Sequence, residues 1–193
     1  MAARQQSQKS RRIEAKSLAL RQELWPALSK DQVWSRKTFN GWTTVPRVLP
    51  LTMHLIGLLH KGGTGDGAKG NPSRVYLDLW LRLNDESYLE VTDESEYAYS
   101  AGYTGTRATR TWREHVLKLR ELGFILIAPR GNRDIGYIFI VNPYFVAEQK
   151  KKANELPDSW WTAFVARVQK TGAHFPSDQQ QSDGNAIDFF ATS

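Results

Sequence analysis

Residues 101–125, AGYTGTRATRTWREHVLKLRELGFI, constrain the fold more than any other part of the chain. Glycine, threonine and arginine crowd the first half, an apolar stripe fills the second, and a short apolar run follows at once. Ala108, Trp112, Val116, Leu119 and Leu122 recur at spacings of three and four, which predicts a helix from Gly105 to Leu122 with one buried face. Thr106, Arg107, Arg110, Arg113, Glu114 and Leu117 then fall on the opposite side. Gly102 is suited to stop a preceding helix, because the tight turn there wants a positive backbone dihedral that glycine adopts cheaply. Thr104 is the candidate cap of the next helix, and Gly123 its stop.

The remaining pattern supplies the neighbours of that helix. Residues 13 to 28 read as helical, with Leu18, Leu20, Leu24, Trp25 and Leu28 on one side, after a polar basic arm. The irregular stretch 29–44 is aromatic, and Trp34, Phe39 and Trp42 are expected to dock on the main body. A helix is expected from Val45 to about His60, with Pro46 in its first turn. Beyond a glycine-rich connector, PSRVYLDLWLRLND reads as a helix starting at Pro72 or Ser73; Leu77 and Leu81 make its second side apolar too, which predicts a central, nearly all-buried element. YLEV, residues 88–91, reads as a strand. Asp93 with Glu96 reads as a capping box opening a helix over ESEYAYSA. FILIA and YIFIV read as two strands joined by PRGNRDIG, residues 129–136, as a hairpin tip. Residues 148–157 are basic and polar, and SWWTAFVARVQK reads as a last amphipathic helix.

Composition narrows the function classes. The 193 residues carry a formal charge of +6, which favours a partner rich in phosphate or carboxylate. With no cysteine, disulfide staples and cysteine-rich zinc sites are excluded, and a reducing cytoplasm fits. The basic start leads into a charged segment, not a secretory signal, and the most apolar stretch, LPLTMHLIGLL, is too short to span a bilayer. The expectation is a soluble cytoplasmic protein without a membrane partner.

The order strand, helix, glycine turn, helix, strand, basic loop, strand resembles a winged helix-turn-helix. Ala98, Gly102, Thr104, Thr106, Thr109, Trp112, Leu119, Leu122, Gly123, Phe124 and Ile125 carry the likeness, which covers residues 74–142. The resemblance implies a mainly α fold with a small β-hairpin (α+β), and a helix from 105 to 122 whose start enters the major groove of double-stranded DNA. Its DNA-contacting residues would be Thr104, Thr106, Arg107, Thr109, Arg110 and Arg113, with Arg130 and Arg133 in the hairpin loop extending the footprint. Arginine suits such work, since its planar fork hydrogen-bonds guanine or holds phosphate. The segment YLDLWLRLND followed by AGYTGTRATRTW also resembles small winged-helix proteins of mobile elements. That likeness implies a transcription regulator or, alternatively, a replication or maintenance factor of a plasmid or genomic island. Winged helices also serve as protein-interaction modules without DNA, and exposed Leu117 fits that use.

The expected organisation is therefore a basic arm, amphipathic helix and aromatic linker over 1–44, a winged-helix domain over 45–147, a C-terminal amphipathic helix over 148–172 and a disordered tail over 173–193. Trp25, Trp160, Trp161 and Phe164 lie on helices outside the core, which fits either pairing of two chains as a homodimer or packing on their own domain. The tail segment NAIDFF vaguely resembles acidic-hydrophobic peptides that dock on replication machinery, without the glutamine with which those begin. Other signals carry less. GDGAKG satisfies G-x-G-x-x-G but follows a helix and meets Pro72, so it reads as a linker. The acids Asp85, Glu86, Glu90, Asp93, Glu94 and Glu96 sit where structural use is expected. His54, His60, His115 and His174 lack ligand spacing, so no metal, no cofactor and no catalytic residue is expected.

Overall fold

The computed structural model describes residues 12, 15–27, 32–33, 41, 43–60, 70–83 and 86–177. Lys9 and Arg11 of the arm, Leu28, the aromatic residues Trp34, Phe39 and Trp42, Asp85, most of the glycine-rich connector and the tail from residue 178 lie outside these. The chain divides into two units, Met1–Trp42 and Thr43–Ser193. In the first, helix α1 spans residues 15–24, and Leu18, Leu20, Leu24 and Trp25 are exposed.

The second unit is mainly helical with a small antiparallel sheet. Its elements are α2 (Leu49–His60), α3 (Ser73–Leu81), β1 (Tyr88–Glu90), α4 (Glu94–Ser100), α5 (Ala108–Glu121), β2 (Ile125–Arg130), β3 (Arg133–Ile140), α6 (Pro143–Lys152) and α7 (Asp158–Thr171). Helix α2 begins later than Val45, because Pro46 heads a turn in which the Leu49 N–H donates to the Pro46 carbonyl at 2.9 Å. Pro50 then occupies the first helical turn, where its missing N–H costs nothing. Helix α3 is buried on one side: Val75, Tyr76 and Leu79 are fully enclosed, whereas Leu77 and Trp80 are partly covered and Leu81 is exposed. The expectation of an almost wholly buried α3 is thus corrected.

Asp93 caps α4, its carboxylate accepting from the Ser95 N–H at 2.9 Å, and the hydrogen bonds from Ser95 hold that carboxyl below its usual range. The capping box is only half formed. Glu96 turns instead to Arg82, which donates to its two oxygens at 3.0 and 2.8 Å and also to Asp78 at 2.9 Å.

The sheet order is β1-β3-β2, with both pairings antiparallel. Ile125, Ile138 and Ile140 face the core, and Tyr76 meets Phe124 edge to face at 5.6 Å. The hairpin tip is much shorter than expected, since Arg130 and Arg133 are directly paired and only Gly131 and Asn132 lie between the strands. Most of the expected loop 129–136 is therefore strand.

Asn142 caps α6, accepting from the Tyr144 N–H, and this helix takes in the first part, up to Lys152, of the basic and polar stretch 148–157. Helix α7 packs on α2 of its own unit. Trp160 and Phe164 are buried and stacked at 4.8 Å, and the Trp160 indole donates to the Leu51 carbonyl at 3.0 Å. These aromatic residues are occupied within one chain, which removes them from the surface that pairing of two chains requires.

Candidate nucleic-acid interface

The turn between α4 and α5 is built by hydrogen bonds that close the end of α4. The Gly102 N–H donates to the Tyr99 carbonyl and the Tyr103 N–H to the Ala98 carbonyl, both at 2.9 Å. This closure needs a left-handed residue, and Gly102 supplies it at φ +88. Thr104 does not cap α5. A second positive dihedral, at Gly105 (φ +84), adds a further turn; α5 begins at Ala108, and Arg107 stands at the cap position without a side-chain cap bond. The Ala108 N–H donates to the Gly105 carbonyl at 3.1 Å, and Thr104, Thr106 and Arg107 stand exposed beside the helix start.

Helix α5 is seated as its apolar stripe predicts. Trp112, Val116 and Leu119 are fully enclosed, Ala108 and Leu122 are partly buried, and Trp112 packs on Tyr97 at 5.7 Å between ring centroids. His115 is also buried and shares a hydrogen bond with Tyr103 at 2.5 Å through its Nδ1, with the His60 ring 6.1 Å away. Burial, then the proximity of His60, lowers the pKa of His115 from its usual value near 6.5. The neutral imidazole ties the turn to the helix.

The candidate DNA residues fall into two groups. Thr104, Thr106, Arg107 and Arg110 lie together and exposed at the start of α5, with Thr109 half-buried behind them. The Arg110 side chain is 78% exposed and reaches only Glu114, one turn along, at 2.9 Å. Arg113, Arg130 and Arg133 are engaged by the segment 90–94. Arg113 donates to both Glu94 oxygens at 2.9 and 3.0 Å and lies 3.6 Å from Asp134. Arg130 pairs with Glu90 at 3.0 Å, and Arg133 donates to the carbonyls of Thr92 at 2.5 Å and Val91 at 3.3 Å.

One member of the exposed group has no signal in the sequence. Arg74, on the first turn of α3, is exposed, and its Nη1 would lie 3.4 Å from a β-carbon placed on Gly102. The fold thus adds a cation to the turn from a position 28 residues earlier than Gly102, and only the packing of α3 beside this turn reveals it.

A second surface feature lies on the outer face of the sheet. Tyr88, Phe139 and Leu126 are in register across the three strands and all exposed. Among the described residues no group of His, Cys, Asp or Glu could hold a metal ion, and no helix is long and apolar enough to cross a membrane. No family model, curated protein or solved structure matches this chain.

Proposed function

We propose that the second unit is a winged helix-turn-helix that binds double-stranded DNA sequence-specifically, with α5 as the recognition helix and the β2–β3 hairpin as the wing. The element order α3, β1, α4, α5, β2, β3 and the sheet order β1-β3-β2 support this reading, because a β-hairpin follows directly on a helix whose start is exposed, as a wing follows a recognition helix. The observation that carries it is the exposed group Arg74, Arg107 and Arg110 around an uncapped helix start, with Thr104 and Thr106 beside it. The cations at the positive end of the helix suit phosphate, and Arg107 and Arg110 suit a base edge. The biological role that fits first is transcription regulation, and second replication or maintenance of a plasmid or genomic island.

The test is duplex binding by fluorescence anisotropy across a salt series. Replacing both Arg107 and Arg110 by Ala should weaken binding by about tenfold or more and flatten the salt dependence by about 0.9 in slope for each phosphate that is no longer neutralised. No binding of the unaltered chain to a random duplex pool at low salt would end the DNA reading. A protein-docking role would then take over; the exposed row Tyr88, Phe139 and Leu126 on the sheet and exposed Leu117 on α5 are the apolar features that favour it.

A further inference from the structure

The wing carries a built arrangement that its DNA reading alone does not explain. Arg130 lies on β2 and Glu90 on β1, yet β3 runs between these strands. Two features let the side chain cross. The register is irregular between Ala128 and Arg130, around Pro129, and the residue beneath Arg130 is Gly136. A β-carbon on Gly136 would lie 2.2 Å from the Arg130 β-carbon and 2.4 Å from its backbone nitrogen. Any side chain there would collide with the strand, so glycine at 136 lets the irregular end of β2 lie close against β3, and from there Arg130 reaches Glu90 at 3.0 Å.

The pair also answers a local problem. Arg130 and Arg133 face each other at the end of the hairpin, and like charges directly opposite are destabilising. Arg133 is satisfied by the carbonyls of Val91 and Thr92, which carry no net charge. Glu90 is the carboxylate that neutralises Arg130. Both partners of this bond remain solvated, at 49% and 37% side-chain exposure, unlike Glu94, which is 18% exposed and held by two bonds to Arg113.

We infer that Glu90 is a stand-in for phosphate: it holds Arg130 across the sheet in the free protein and gives it up to the backbone of a bound duplex. This rests on the DNA reading above. The exchange costs one ion pair whose partners are both solvated, which is a weak bond to give up. Glu94 keeps Arg113, so the wing contributes one conditional contact.

The experiment is duplex binding of the full chain across a salt series, comparing the unaltered protein with Glu90→Gln, Arg130→Gln, the double variant, and Asp134→Asn, which removes the same charge from the same hairpin. Thermal melts check that each variant is folded. Glu90→Gln should tighten binding about two- to fivefold at low salt, and its effect should vanish in the presence of Arg130→Gln. Arg130→Gln alone should flatten the salt slope by about 0.9. Weaker or unchanged binding of Glu90→Gln, an equal gain from Asp134→Asn, or a gain that survives Arg130→Gln overturns the exchange while leaving the DNA reading intact. Absence of duplex binding by the unaltered chain overturns both.

Discussion

The start of α5 and the surface formed by its second turn and the hairpin tip hold the same residue type in opposite conditions. At the first, Arg74, Arg107 and Arg110 stand in solvent, and Arg110 has only a neighbour on its own helix. At the second, Arg113, Arg130 and Arg133 are each tied to residues 90–94 by bonds that span the sheet or join two helices. Sequence proximity does not separate them, since Arg110 and Arg113 are one turn apart. The difference is the carboxylates and carbonyls that the β1–α4 segment delivers to one group and withholds from the other. An exposed cation is available to a ligand, whereas an engaged one must first exchange its partner.

The largest disruption should come from removing the support common to both regions. Trp112 is fully enclosed and seats α5 against α4, so Trp112→Ala should cost about 3 to 5 kcal/mol in urea unfolding and weaken duplex binding with it. A smaller effect separates the two groups. Arg113→Ala leaves the largely covered Glu94 without the Nη1 group that donates to both its oxygens and should cost about 1 to 2 kcal/mol, while Arg107→Ala should change stability by less than about 0.5 kcal/mol. Equal losses in the two variants would remove the distinction between engaged and available arginines.

The smallest effect is a pH dependence beneath the turn. His115 binds protons less readily folded than unfolded, so below about pH 6.5 the unfolded chain takes up more protons and stability falls as pH falls. The groups around it are His60, Glu114, the backbone of Gly70 and the Tyr103 hydroxyl, whose neighbour is Arg74. Thermal melts of the unaltered chain should lose stability between pH 7 and pH 5 by at most about 1.4 kcal/mol per unit, and His115→Gln should flatten that slope. A slope unchanged in the variant would assign the dependence elsewhere.

Legibility in the sequence tracks the range of the forces involved. The stripe Ala108, Trp112, Val116, Leu119 and Leu122, the Asp93 cap and the stop at Gly102 depend on residues a few positions apart, and each is readable. The start of α5 reads too early, at Thr104, because two glycine turns, at 102 and 105, compete for the same few residues and the second one delays the helix. The hairpin loop reads too long, since Arg130 and Arg133 look like loop residues until the pairing of β2 with β3 is known. The aromatic faces of α7 could have met a second chain or their own domain; the bond from Trp160 to Leu51, more than a hundred residues earlier, decides it.

The amino-acid sequence by itself determined the order of most helices and strands and which face of α5 turns inward, because periodicity and turn chemistry act over a handful of residues; the ends of α2, α5 and the hairpin strands, and helix α6, were not readable from it. Only the tertiary structure decided which arginines are left exposed beside the turn and which are held by the β1–α4 segment. It did so by carrying Arg74 to the turn, Glu90 to the hairpin and Glu94 to Arg113 on α5. Whether a charge is available depends on distances of a few ångströms between residues far apart in the chain, and Coulomb and hydrogen-bond energies at that range are set by packing and not by order along the sequence.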